Sequence, residues 1–447
     1  MSDSPTLADW LARLERQHPV SIDLGLERVA RVARRLGLIG TRLSERIITV
    51  AGTNGKGSTV AMLDALAREH GLSTATYTSP HLLRYNERLR FDGIEADDAL
   101  LIVGFERAEA ARLEPEPVSL SYFEAGTLAA LWAIAERRPD IAILEVGLGG
   151  RLDAVNVIDA DVAVITTVAQ DHAAFLGTDL NTIGREKAGI LRTARPAVLG
   201  SERLPPSVRR VATELGAGVH ALGADFHREV ECRATADATL RWRWAGHSGQ
   251  GDSLVFEALP DPCLPLDNAA SALQALALAG IELDVAACRR AFSAVRLPGR
   301  MQWLGNWCLD VAHNPHAAEY LAAQLAERPR PSRRIGLLGM LGDKDAQGVI
   351  DALSSQVDGW VAVGLSGERP RSADELAALL ENRGQTVLHR AVSPQAGAEW
   401  LLARLEPNDE ALVCGSFFTV TEVLGWHTAR GTDAATEWQR PATREKP

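Results

Sequence analysis

The sequence predicts an α/β protein of two domains: a mostly parallel sheet domain with a small antiparallel appendage, then a smaller α/β unit. Three observations predict it. At 447 residues the chain exceeds one ordinary core. Short runs rich in Val and Ile alternate with stretches of helical periodicity, the pattern of buried parallel strands covered by helices. The alternation breaks at Pro298 and Gly299 and then restarts. The expected boundaries are 1–297, 298–430 and a polar, frayed tail at 431–447.

The elements follow in order. "LADWLARLERQ" and "SIDLGLERVARVARRLG" carry apolar residues at helical spacing, and Gly37 supplies a stop, so two helices precede the first strand. "RIITVA" is a β-branched strand, "AGTNGKGST" a glycine-rich turn, and "STVAMLDALAREHG" a helix closed by Gly71. "LSTATYTS" reads as a strand, "AGTLAALWAIAERR" as a helix, and "DIAILEVG" and "DVAVITTVAQ" as strands. From Phe226 to Leu259 the period changes to two in "FHREVEC", "TLRWRW" and "SLVFEA", which predicts the antiparallel appendage. "NAASALQALALAG" is a helix. The second unit alternates "WCLDVA", "PHAAEYLAAQLAE", "RIGLLGML", "AQGVIDALSS", "GWVAVGL", "SADELAALLEN" and "EALVCGS".

Composition narrows the function. Hydrophobic residues at 46% and charged residues at 23% are those of a globular chain. The net charge of −11 opposes binding of nucleic acid. The Arg and Trp of "RWRW" suit a nucleic-acid surface, yet Leu240, Trp242 and Trp244 on one face also describe a half-covered strand. No apolar stretch is long enough to span a bilayer, and the start lacks a basic leader, so a cytoplasmic protein with no membrane partner is expected. Cys232, Cys263, Cys288, Cys308 and Cys414 are scattered and odd in number, which predicts reduced core thiols.

The chemistry starts at Ala51–Thr59. Gly52, Gly55 and Gly57 give the tight curvature that turns backbone N–H groups toward a phosphate at a helix N-terminus. Lys56 supplies a point charge for the β- and γ-phosphates, and Ser58 or Thr59 stands near the metal. An additional glycine, Gly57, separates the lysine from the serine of a standard phosphate loop. A purely structural turn is the other reading. In "DIAILEVGLGGRLDAVN" the strand ends in Glu145, at the sheet edge where α/β proteins bind ligands and magnesium needs oxygen. Gly147, Gly149 and Gly150 then allow close backbone approach. Asp171 and His172 end the next strand and would reach the same edge, although a histidine of this kind is often structural. "RIGLLGMLGDKD" lacks the dinucleotide spacing.

"AGTNGKGST", "TSPHLLRYNERLR", "LSYFEAGTLAALW", "LEVGLGGRLDAVN", "DHAAFLG", "IGREKAGI", "LPGRMQ" and "DVAHNPHAAEYL" together resemble the dihydrofolate synthase/folylpolyglutamate synthase family, a branch of the Mur ligases. The matches run in order from about Ser21 to Thr419. The resemblance implies a P-loop domain of the Mur ligase central type and a Rossmann-like second domain. It implies an ATP-dependent ligase that adds L-glutamate to dihydropteroate and to reduced folates through an acyl phosphate, with magnesium, two ions in all, as cofactor. By matching motif, Gly52, Thr53, Asn54, Gly55, Lys56, Gly57 and Ser58 form the ATP phosphate cradle. Asn268, Arg300 and Asp310 match positions that hold the nucleotide from its other side. Ser79, Glu145 and His172 match metal ligands, and Lys187 the lysine often carried as a carbamate, the alternative being a solvent-facing lysine. Lys56, Lys187 and His172 are the implied catalytic residues.

For the pterin, Ser21, Ile22, Asp23 and Leu24, then Leu120, Ser121, Tyr122 and Phe123, then Leu152, Asp153 and Ala154 match the dihydropteroate-binding segments. Tyr122 and Phe123 are equally compatible with core aromatics. His313 stands before Asn314 and Pro315, which suit a helix cap and first turn. A monomer is expected. The alternatives are an enzyme that only elongates polyglutamate, a cell-wall Mur enzyme, and a P-loop nucleotide switch without ligase activity.

Overall fold

In the computed structural model, residues 5–18, 23–231, 240–367 and 370–431 are described. The chain divides into two units, Met1–Ala169 with Thr178–Arg296, and Gln170–Gly177 with Leu297–Pro447. The short piece Gln170–Gly177, which carries Asp171 and His172, groups with the second unit although its flanks lie in the first. Ser21, Ile22, Cys232 and the expected tail beyond Gly431 lie outside the described residues.

The first unit is built on eight strands: β1 (Arg46–Ala51), β2 (Thr74–Tyr77), β3 (Leu89–Phe91), β4 (Ile94–Glu95), β5 (Ile141–Glu145), β6 (Val162–Ile165), β7 (Pro196–Leu199) and β8 (Gly218–Ala221). Their order is β4-β3-β2-β5-β1-β6-β7-β8. β2, β5, β1, β6, β7 and β8 run parallel, and β3 and β4 extend one edge antiparallel. β1 is central and buried at five of six positions, which is why "RIITVA" is nearly all apolar. Val50 pairs with Glu145 and Ala51 with Ile165, so the glycine loop leaves the carboxyl end of β1 with β5 ending beside it.

After the loop, helix Lys56–Glu69 packs against Leu266–Leu278 and Val285–Ala294. Helix Leu266–Leu278 buries an unbroken run from Asn268 to Ala277, which suits its alanine-rich composition on every side. Its one long polar side chain inside, Gln274, exchanges hydrogen bonds with the backbone N–H and carbonyl of His247 at 3.1 and 2.8 Å.

β9 (His227–Glu231), β10 (Arg241–His247) and β11 (Ser253–Pro260) form a separate antiparallel sheet. Trp242 and Trp244 are fully buried, and Trp242 Nε1 donates to the Pro260 carbonyl at 2.9 Å. The alternation is therefore that of a half-covered strand, and the aromatic rings are not available for stacking on bases.

The second unit holds β12 (Gln302–Leu304), β13 (Trp307–Leu309), β14 (Arg334–Leu338), β15 (Gly359–Val363), β16 (Val387–Ala391) and β17 (Glu410–Cys414), ordered β12-β13-β17-β14-β15-β16. All are parallel except β12 against β13. Cys288, Cys308 and Cys414 are buried as expected, and burial pushes the Cys288 thiol up to about 12. Cys263 corrects that expectation, because it lies exposed after the Pro260 end of β11.

Candidate functional site

The glycine loop is fixed by β6 and the residues that follow it. Thr53 N–H donates to the Thr167 carbonyl at 2.8 Å, Asn54 N–H to Thr167 Oγ1 at 3.0 Å, and Thr166 Oγ1 to the Asn54 carbonyl at 2.7 Å. A Cβ on Gly52 would stand 1.8 Å from Thr166 Oγ1, so that close approach requires glycine. Gly55 has φ +85°, and a Cβ there would meet Asn268 Nδ2 at 2.6 Å. Asn268 therefore lies over the loop within the first unit itself. Gly57 does not shape the curve; it lies in the first turn of helix Lys56–Glu69. Lys56 Nζ turns back to the carbonyls of Gly52 and Thr53 at 3.1 and 3.2 Å. The Thr59 hydroxyl donates to the Gly55 carbonyl at 2.9 Å, which leaves Ser58 as the hydroxyl of the pair not bound to that carbonyl.

Glu145 is buried at the end of β5, and its Oε2 accepts from Ser79 N–H at 3.2 Å. Two oxygen-bearing side chains thus stand beside the loop. Hard divalent cations prefer oxygen, and magnesium keeps phosphate and water among its ligands, so this pair fits such an ion. Among the described residues no group of three or more His, Cys, Asp or Glu side chains converges as a self-sufficient metal centre.

The turn after β5 packs tightly. A Cβ on Gly147 would stand 2.6 Å from the Phe123 ring, and one on Gly150 would stand 2.8 and 3.0 Å from the carbonyls of Glu186 and Lys187. Gly150 thereby seats Lys187, which is buried and not a solvent-facing helix lysine. Asp153 is buried too, accepting from Leu148 N–H at 2.8 Å and Val155 N–H at 3.0 Å. Burial raises its pKa to about 6, against those hydrogen bonds and the charge of Lys56.

Of the pterin segments, Asp23 accepts from Arg28 at 2.7 Å, and Arg28 also reaches Glu124 at 2.8 Å. Leu24 is partly buried, as is Leu152, and Leu120 and Ala154 are buried. The Ser121 hydroxyl accepts from Glu124 N–H while Glu124 accepts from Ser121 N–H, a capping box that starts helix Tyr122–Arg137. Tyr122 and Phe123 are half-buried, packed against the core yet partly open.

In the second unit Arg300 stacks over the Phe417 ring at 5.2 Å. Asp310 accepts from the N–H groups of Met301 and Ala312 at 2.9 and 2.8 Å, and burial raises its pKa. Asn314 caps helix Pro315–Ala326 by accepting from Ala317 N–H, with Pro315 in the first turn. His313 Nδ1 donates to the Val311 carbonyl at 2.8 Å and Nε2 to Asp171 Oδ2 at 3.1 Å. Lys344 donates to the other oxygen of Asp171. Burial would raise Asp171, but the His313 hydrogen bond and the charges of His313, His172 and Lys344 hold it far below the usual carboxylate range. His172, next in sequence, has φ +50°.

Sequence reasoning did not single out Lys344 or Arg88. A signal for the first was present: of 47 basic residues only four are lysines, Lys56, Lys187, Lys344 and Lys446. A chain that elsewhere uses arginine keeps lysine where a compact ammonium is needed.

Comparison with known proteins bears on this geometry. Residues 50–200 match the Mur ligase middle domain, and residues 299–417 the glutamate ligase domain of Mur ligases. The dihydrofolate synthase/folylpolyglutamate synthase of Escherichia coli (strain K12) is 42% identical over 94% of this chain and 94% of its own. The structure of E. coli FolC in complex with DHPP and ADP superposes with a TM-score of 0.88 at 41% identity, covering 96% of this chain and 99% of that one. A bifunctional folylpolyglutamate synthase/dihydrofolate synthase with Mn, AMPPNP and L-glutamate bound gives a TM-score of 0.84 at 41% identity, over 95% and 98% of the two chains. With similarity of this extent and both domains matched, the chain belongs to the dihydrofolate synthase/folylpolyglutamate synthase family of the Mur ligases.

Proposed function

We propose that this chain is an ATP-dependent ligase that joins the amine of L-glutamate to the carboxylate of dihydropteroate and to the γ-carboxyl of reduced folates, releasing ADP and phosphate. One observation carries the reading: Glu145 is the last residue of β5, and the glycine loop, Ser79 and the Asp153 turn follow the carboxyl ends of β1, β2 and β5, three adjoining strands. The names and bound molecules of the relatives support the same substrates.

The chemistry proceeds in two displacements. A carboxylate oxygen of the acceptor attacks the γ-phosphorus of ATP; the bond to the bridging oxygen breaks, and ADP leaves. The glutamate amine then attacks the acyl carbon, loses a proton and expels phosphate. Lys56 and the N–H groups of the loop offset the charge on the transferring group. Ser79 and Glu145 would hold a divalent cation, magnesium in this reading, with His172 proposed as a ligand and two ions in all. Such a cation neutralises phosphate charge when bound. Lys187, buried against Gly150, carries a carbamate: its ammonium gives up one proton to become the amine, and the amine nitrogen bonds the carbon of carbon dioxide with loss of a second proton, which replaces a buried cation by an oxygen ligand. Arg300 and Asp310 contact the nucleotide. The enzyme works as a cytoplasmic monomer on diffusible substrates; among the described residues no helix is long and apolar enough to cross a membrane.

The decisive assay measures glutamate-dependent phosphate release with dihydropteroate, a reduced folate and a UDP-muramoyl substrate in parallel. Release with the first two is expected. Release with the folate alone identifies an enzyme confined to chain elongation, and glutamate-independent hydrolysis overturns the reading. Labelled bicarbonate should give a carbamate carbon signal in the wild type that disappears in Lys187→Arg.

A further inference from the structure

Among the described residues two arginines are buried, Arg88 and Arg334. Arg334 is neutralised: Nη2 donates to Glu410 at 2.9 Å, and Nη1 to the Gln356 carbonyl at 3.2 Å. Arg88 is different. Its Nε donates to His81 Nδ1 at 2.9 Å, and its guanidinium lies over the rings of Tyr85 and Tyr122 at 5.1 and 5.6 Å. The Tyr77 hydroxyl is close enough to feel its charge. All of these neighbours are uncharged or share its sign, and among the described residues no carboxylate lies within ion-pair distance of it. Burying a guanidinium without an anion is unfavourable, and a ligand carboxylate would offset that cost.

Three placements indicate which anion. Arg88 ends the turn Tyr85–Arg88, and the His81 that accepts from it is two residues beyond Ser79, so the segment that fixes its Nε is the one that carries Ser79, whose N–H donates to Glu145. Tyr122 belongs to the pterin segment, and its neighbour Phe123 lies on Gly147 of the turn after β5. The phosphate cradle already has Lys56 for its charge. A guanidinium that lies over two edge-to-face rings and is fixed at Nε keeps two terminal nitrogens that match a flat, two-oxygen group, the geometry of a carboxylate on an aromatic ring.

We infer that Arg88 binds the carboxylate of the acceptor acid and so selects acids for activation, an inference that rests on the ligase reading above. Tyr122 packs along the ring that bears this carboxylate, and His81 fixes the plane of the guanidinium.

The test compares binding of dihydropteroate with that of its analogue carrying hydrogen in place of the carboxyl group, by direct titration of wild type, Arg88→Gln and Arg88→Lys. Wild type should prefer the acid by roughly ten- to a hundred-fold, the value of one charge-assisted contact. Arg88→Gln should bind acid and analogue alike and retain its affinity for a non-hydrolysable ATP analogue. Arg88→Lys, which keeps the charge and loses the fork, should fall between. Equal binding of acid and analogue by the wild type overturns the inference whatever the variants do, and so does full preference in a folded Arg88→Gln. Should Arg88→Gln not fold, an unchanged preference in Arg88→Lys counts against it. Wild-type phosphate release is measured alongside: glutamate-dependent release without acid preference removes only the role of Arg88, whereas no such release with any acid removes the ligase reading itself.

Discussion

Lys344 and Asp171 form a buried ion pair across 173 residues of sequence, with His313 completing the carboxylate's second oxygen. Both charged side chains are about 8% exposed. Removing one partner strands the other charge, so Lys344→Met should destabilise the protein by about 3 kcal/mol, and Asp171→Asn in the same chain should restore part of it. Urea unfolding of the single and double variants measures this. Asp171 is depressed in the folded state, so its contribution is complete above the unfolded value of 3.8 and is lost as pH falls below it. Lys344→Met should show a shallower loss of stability between about pH 4 and pH 2.5 than wild type.

Gly52→Ala places a Cβ on Thr166 Oγ1, the hydroxyl that holds the Asn54 carbonyl. The loop must shift, and affinity for a fluorescent ATP analogue should fall by about 100-fold or more. Gly71→Ala is the control. It also has positive φ, +78°, but open space around it, so it should cost about 1 kcal/mol of stability and leave nucleotide affinity unchanged. Equal nucleotide affinity in the two variants would show that loop shape is not what binds ATP.

Ser58 and Thr59 separate by partner. The Thr59 hydroxyl is committed to the Gly55 carbonyl, and Thr59→Val should lose about 1 kcal/mol of stability while turnover changes little. Ser58→Ala should keep its stability and lose turnover by about 100-fold, the scale of removing one contact to the transferring phosphate. Steady-state phosphate release at saturating metal, with thermal unfolding in parallel, distinguishes them.

Asp153 has the opposite sign to Asp171. Its folded pKa, about 6, lies above the unfolded 3.8, so the folded protein holds this proton more tightly. That stability is present below the unfolded value and is lost as pH rises through about 6. The difference in unfolding free energy between wild type and Asp153→Asn should therefore move against wild type by about 2–3 kcal/mol from pH 4 to pH 7. No change in that difference across the interval contradicts the burial argument.

Much of this was legible in the sequence. Strand runs such as "RIITVA" and "DIAILEVG" are buried on both faces, and their unbroken apolar character survives any detail of packing. The placement of Glu145 beside the loop follows from one short strand pairing with another. Edge elements such as β3 and β4 were not legible, because three and two residues with mixed burial carry no periodic signal. The assignment of Asp171 and His172 to the second unit was invisible for a different reason: it rests on Lys344 and His313, whose distance along the chain hides their meeting. Arg88 sat inside a recognised motif, but only three-dimensional burial distinguishes an arginine without a counter-charge from the many that have one.

The scarcity of lysine has a practical corollary. Acylating reagents directed at primary amines find few side-chain targets here, and the three described lysines are Lys56 in the glycine loop, Lys344 on Asp171, and Lys187, which becomes such a target only where it has lost the proposed carbamate. Each is shielded in its own way, by loop carbonyls, by the Gly150 turn or by Asp171. The rate at which each becomes labelled therefore reports separately on the opening of the loop, on the loss of the carbamate at Lys187 and on the breaking of the Asp171 pair, with Lys446 as the one other lysine side chain.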